Sequence, residues 1–328
     1  MRTATLSATS VPSSGVYLTG HAGAVLFALV LFVASLILSP LHYSGDQLFY
    51  SALYRELPLL HTWEDRYQAF FWHTSAMEPV YLGLITLAAP YLPKTLLFSL
   101  VNTALAYGVG LWLFSRRVAP LVILLLALNF YLIVLFYSAE RLKLAMTFVV
   151  WGMLLESRGR YLLFALAIGS HFQSALLLFS ILTWNTSKPG ARYLLPLAGA
   201  SVAVAAFSYL QESAPLFLAY LTNKLDHYSI AESFSLLVMV KPLALMLGTM
   251  YYTGQQWRTV LTFVPILAMT YFVGSDRIVL FGYFIFMYFA LQRNRGMNLG
   301  AISSAAYFAY AGILYIVTFI QTGHGLSS

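Results

Sequence analysis

The chain has 328 residues, of which 60% are apolar and only 9% charged. Soluble domains carry about 25% charged residues, so this composition excludes one and predicts a polytopic membrane protein, with a mean hydropathy of +0.77. The absence of cysteine excludes disulfides, thiolate catalysis and cysteine metal sites, and the net charge of +7 fits basic loops against anionic lipid rather than nucleic acid, since no basic run is interleaved with aromatics.

In chain order, residues 1–20 are a polar tail rich in Ser and Thr, and Ala22–Leu41 is a retained first span. A polar loop over residues 42–77 follows. Apolar segments then run Pro79–Tyr91, Thr95–Ser115, Val118–Tyr137, Leu142–Leu155, Tyr161–Trp184 and Tyr193–Tyr209. A second loop covers 211–233. Phe234–Tyr252, Thr259–Val273, Ile278–Leu291 and Leu299–Ile320 complete a single polytopic domain over 21–321, with a short tail over 322–328. The expected fold is an all-α integral membrane bundle of about ten or eleven segments, because open sheets cannot span lipid. Pro79–Tyr91 is short and bounded by Pro79, Pro90 and Pro93, which suits a re-entrant piece or a short tilted span packed among longer helices. If every segment crosses, the basic residues on the two sides nearly balance and fix no orientation.

The stretch from Ser138 to Ala145 sits between two long apolar runs and carries Glu140, Arg141 and Lys143. A charge near the bilayer centre costs roughly 2.5–3.5 kcal/mol on insertion scales, so such groups are paired, wet or functional. Arg141 has a planar donor fork suited to phosphate. Arg141 and Lys143 can equally mark an interface by snorkelling.

Other candidates are spread along the chain. On a helix, Asp46, Tyr50 and Tyr54 share one face at i, i+4 and i+8. A carboxylate beside two phenols suits sugar hydroxyls or a general base, while Ser44 or Asp46 can simply cap that helix. Glu78 opens a segment at Pro79, either as a favourable charge at a helix start or as a second carboxylate of a cavity. His171 falls in the middle of the predicted Tyr161–Trp184 span, as a catalytic base or an interhelical hydrogen bonder. Arg277 opens an aromatic span as a second candidate phosphate clamp, and Tyr228 lies in a mixed polar turn of the second loop. Pro242, after Lys241, is expected to kink its helix. No Walker A loop, metal-ligand spacing or Gly-x-Ser-x-Gly elbow is present, so no cofactor or metal is expected.

Taken in order, Ser44-Gly45-Asp46 with Tyr50 and Tyr54, Glu78-Pro79, Arg141-x-x-x-Ala145, His171-x-x-Ser174-Ala175-Leu176 and Asp276-Arg277 before an aromatic span resemble the EpsG/Wzy-like family of bacterial polysaccharide polymerases. The resemblance covers roughly residues 22–291. It departs at Leu142, where the family often has a polar residue after the arginine. It implies a membrane glycosyltransferase of the bacterial inner membrane. Its substrates would be oligosaccharide repeat units on undecaprenyl pyrophosphate, joined with inversion at the outer face into O-antigen, capsule or exopolysaccharide. A chain-length-regulating membrane protein is an expected partner. On that chemistry Arg141 and Arg277, with Lys143 nearby, take the diphosphate; Asp46, Glu78 or His171 takes the acceptor proton; Tyr50, Tyr54 and Tyr228 contact sugars. The alternatives are a lipid-linked oligosaccharide flippase or transporter, an O-antigen ligase and a polysaccharide acyltransferase.

Overall fold

A computed structural model describes residues 14–155, 157–185, 239–273 and 276–323, with side chains described from residue 20 onward except at 182, 185, 271–273, 276 and 277. Every regular element among the described residues is helical. Among the described residues three helices are long and apolar enough to cross a membrane, Gly20–Leu41, Lys94–Ser115 and Asn294–Thr322, and a bent pair, Pro120–Ala127 with Phe130–Tyr137, makes a fourth if it is one span. The chain is thus compatible with a multi-pass helical membrane protein. The predicted Tyr193–Tyr209 segment and the second loop lie outside the described residues.

Two compact units are present: one from residues up to Thr74, Glu78–Ser170 and Ala305 onward, the other from Ser75–Met77 and His171–Ser304. The first unit begins with α1 (Ser14–Leu38). The predicted first loop is itself largely helical, as α2 (Asp46–Glu56) and α3 (Trp63–Thr74). Then come α4 (Pro79–Ala88), α5 (Lys94–Ser115), α6 (Pro120–Ala127), α7 (Phe130–Tyr137), α8 (Glu140–Leu154) and α9 (Gly159–Ser170).

Small residues set the approach distances. The most extensive pairing is α1 on α5, where a Cβ on Gly110 would stand 3.0 Å from the Ala24 Cα and one on Gly23 would stand 2.9 Å from the Phe114 ring. The α5–α8 contact repeats the device, with Gly108 facing Val150 at 2.8 Å. In lipid, where apolar burial gives little drive, such close backbone approach supplies the packing.

Two expected single spans are broken. Val118–Tyr137 bends by 50° between α6 and α7. Asn129 is the reason: it is fully buried, and its side chain accepts the Tyr131 N–H at 3.0 Å, capping a new helix. Gly312 of the C-terminal helix lies against the Leu128 carbonyl and the Phe130 nitrogen at this break. Tyr161–Trp184 is interrupted after Ser170, where a turn over His171–Gln173 is closed by the Ser174 N–H on the His171 carbonyl at 2.9 Å.

The second unit holds α10 (Ser174–Asn185), α11 (Val240–Thr253), α12 (Gln256–Val273) and α13 (Asp276–Ala290). The final helix α14 (Leu299–Thr322) gives its first residues to this unit and the rest to the first. Gly254 ends α11 in the left-handed region, at φ 64°, a conformation that favours glycine. Tyr252 donates to the Asn298 side chain at 2.5 Å and accepts the Gly300 N–H at 3.1 Å, anchoring the start of α14. The kink expected at Pro242 does not occur within the described helix: Pro242 sits in the first turn of α11, where its missing N–H has no partner to lose.

Candidate functional site in the first unit

The site is built around the gap between α7 and α8. A helix that ends inside a packed apolar unit leaves its last carbonyls without intrahelical donors. Here side chains from elsewhere in the unit supply them. The Phe136 carbonyl accepts from Lys143 Nζ and, at 2.9 Å, from Asn102 Nδ2. The Tyr137 carbonyl accepts from His42 Nδ1 at 3.3 Å, and the Ser138 carbonyl from Gln47 Nε2 at 2.9 Å. The Ser138 hydroxyl also bonds the Tyr315 phenol. With these three carbonyls bonded, the chain restarts a helix at Glu140 and aims Glu140 and Arg141 in different directions.

Arg141 meets Glu78. Its Nη1 donates to both carboxylate oxygens, at 3.0 and 2.9 Å, and its Nε donates to the Tyr50 hydroxyl at 2.9 Å. The side chains of Arg141 and Glu78 are only 12% and 6% exposed. Nη2 has no partner among the described residues. Glu78 stands before α4 without capping it through its side chain, so its carboxylate serves Arg141 rather than the helix end.

Glu140 turns to a second cation. Its Oε1 lies 2.9 Å from Lys94 Nζ, and its Oε2 accepts from the Tyr81 hydroxyl at 2.8 Å. Lys94 also donates to Gln47 Oε1 at 3.1 Å and Ser51 Oγ at 2.9 Å. Tyr50 lies between the two cations, with Arg141 and Lys94 each 5.9 Å from its ring centroid. Burial pushes the Tyr50 phenol up to about 12, against the pull of Arg141. Burial also lowers His42 below its usual range, against the Tyr137 carbonyl, which favours the protonated ring.

The predicted site residues fall as follows. Arg141, Glu78 and Tyr50 come into direct contact. Tyr54 is buried one turn on and donates to the Leu92 carbonyl at 2.8 Å. Asp46 is the first residue of α2 and is exposed, so the buried face of this helix is Gln47, Tyr50, Leu53 and Tyr54 rather than Asp46, Tyr50 and Tyr54. The cap residue is Gly45, with no side-chain capping bond. Lys143 is 2% exposed, over the Phe98 ring. His171 belongs to the second unit, in the turn before α10 rather than inside a span, with its Nε2 3.2 Å from Gln173 Oε1. The Arg277 side chain and Tyr228 lie outside the described residues.

Sequence reasoning did not single out Glu140, Lys94, Gln47, Tyr81 or His42 as site groups. The signal for Lys94 was present: it follows Pro93 at the head of an apolar helix, an embedded cation like Arg141. Among the described residues no three potential metal-ligating side chains of His, Asp or Glu gather in one place. Compared with protein-family models, with curated proteins and with solved structures, the chain matches none.

Proposed function

We propose that the chain is a polymerase of lipid-linked oligosaccharide repeat units, a membrane glycosyltransferase-like bundle of about ten or eleven segments, acting at the outer face of a bacterial inner membrane. The observation that carries this reading is the Arg141–Glu78–Tyr50 constellation: an anion anchor and a carboxylate in direct contact within an apolar helical unit. In this proposal Arg141 turns its remaining Nη2 donors to the diphosphate of an undecaprenyl-linked donor. Glu78, in contact with the guanidinium, takes the proton of the acceptor sugar hydroxyl. The acceptor oxygen bonds the anomeric carbon as the carbon–oxygen bond to diphosphate breaks, and its electron pair leaves on the phosphate oxygen. The configuration inverts in one displacement. A chain-length regulator would act from outside this constellation.

The bent α6–α7 pair favours one second reading, a transporter of the same lipid-linked substrate, since broken helices at membrane depth recur in transporters. Electrophoresis of surface glycan from a deletion strain separates the two. Loss of a polymerase leaves one repeat unit attached, and loss of a transporter leaves none.

The direct test uses paired variants, because removing one partner of a buried ion pair costs about 3–5 kcal/mol through the charge left behind. Arg141→Lys keeps a counter-charge for Glu78 but loses the fork. Combined Arg141→Gln and Glu78→Gln keeps a neutral pair. Both should reach the membrane at normal abundance, and both should lower polymer formation about 10²–10³-fold, as loss of a preorganised oxyanion donor does. Normal-length polymer from the double variant would refute the assignment.

A further inference from the structure

We propose that α5, α7 and α8 enclose an internal water site, lined by Ser99, Asn102 and Lys143. It stands apart from the Arg141–Glu78 chemistry and does not depend on it. Asn102 lies eight residues into α5, about 12 Å along its axis at 1.5 Å per residue. Its Nδ2 donates to the Phe136 carbonyl and to Ser35 Oγ, each at 2.9 Å. A carbonyl can only accept, so this contact fixes the amide orientation: Nδ2 faces Phe136, and Oδ1 is the acceptor left over. Oδ1 is buried and has no partner among the described residues. Ser99 stands one turn earlier on the same face, fully buried, and its Oγ also has no partner among the described residues. Lys143 is 2% exposed and gives one of its three donors to the same Phe136 carbonyl that Asn102 uses. Lys143 Nζ and Asn102 Nδ2 thus share one acceptor, which brings the ammonium and the amide to the same carbonyl.

The chemistry of the lining selects the occupant. An anion would suit the ammonium but would face the Asn102 carbonyl oxygen. A metal cation would suit that oxygen but would face the ammonium. Water donates and accepts, so it alone satisfies Lys143, Asn102 Oδ1 and Ser99 Oγ together. Buried waters typically make about three such bonds to otherwise unsatisfied groups. Leaving two buried polar atoms unpaired would instead be expensive.

The test is a double-mutant cycle read as melting temperature in detergent, together with the density of the unaltered protein. Ser99 and Lys143 share no hydrogen bond in the structure, and a bridging water would appear as energetic coupling between them. Ser99→Ala should lower Tm by several degrees in the natural background and barely move it once Lys143→Met is present. A map fine enough to show ordered solvent should hold a peak about 3 Å from Asn102 Oδ1 and Ser99 Oγ. Equal Tm shifts in both backgrounds, or a map empty at that position, would overturn the proposal. If Lys143→Met fails to fold, the map of the unaltered protein decides alone.

Discussion

Tyr50 is held by burial and by one hydrogen bond to a cation, and both have measurable consequences. In the unfolded chain a tyrosine loses its proton near pH 10, whereas in the folded protein Tyr50 holds it to about 12. Above pH 10 the unfolded state therefore binds fewer protons, and stability should fall as pH rises from about 10 to 12. Tyr50→Phe should flatten that decline. At neutral pH the same variant leaves Arg141 Nε without its acceptor and should destabilise the protein by roughly 1.5–3 kcal/mol, the range for hydrogen bonds to charged groups. Thermal unfolding across the alkaline range checks both. His42 works in the opposite sense. Its pKa is depressed, so the stability it contributes is present above its ordinary value of 6.5 and is lost as pH falls through its lower folded value. His42→Gln should remove that acid-side dependence. At this scale the sequence was partly readable. Arg141 and Glu78 stood out as charges bordering apolar runs. Glu140 stood out with them as a charge, but its pairing did not, because its partners Lys94 and Tyr81 are 46 and 59 positions away and only the fold brings them together.

Among the elements, the breaks were the hardest to foresee. Val118–Tyr137 contains no glycine and one early proline, so hydropathy reads it as continuous. The signal was Asn129, a capping residue inside an apolar run, and its effect depends on a neighbour that tolerates the exposed backbone. That neighbour is Gly312, in a helix far along the sequence. Gly312→Val would drive a branched side chain into the Leu128 carbonyl, and backbone cannot move aside as a flexible side chain can. We expect a loss of about 1–3 kcal/mol or more, visible as a lowered Tm and reduced membrane abundance. By comparison, Gly83→Ala, where no atom stands within 4 Å of the added Cβ, should be tolerated. The helices in the first polar loop were legible in part. The spacing of Tyr50 and Tyr54 gave the face, but the register was set by Gln47, whose amide satisfies the Ser138 carbonyl.

For the whole molecule, composition alone indicated an all-helical membrane protein, and the long apolar helices agree with it. Large side chains on α1 and α14 remain exposed, among them Leu26, Val30, Ile37, Leu299, Tyr307 and Ile320. Such a surface requires lipid or detergent. The protein should stay in the membrane pellet after alkaline carbonate or high salt and leave it only with detergent; recovery in the carbonate supernatant would contradict this. Among the described residues three helices, or four with the bent pair, are of membrane length. Hydropathy marks apolar length, whereas the path is set by polar atoms that close a helix early.

The Gly312 contact also bears on biogenesis. The break at Asn129 leaves the ribosome long before the glycine that fits it, so the early helices form with that notch open. Assembly of this unit therefore ends with a helix made late, and a nascent chain stalled before Ala305 should expose the notch to the quality-control proteases of the membrane.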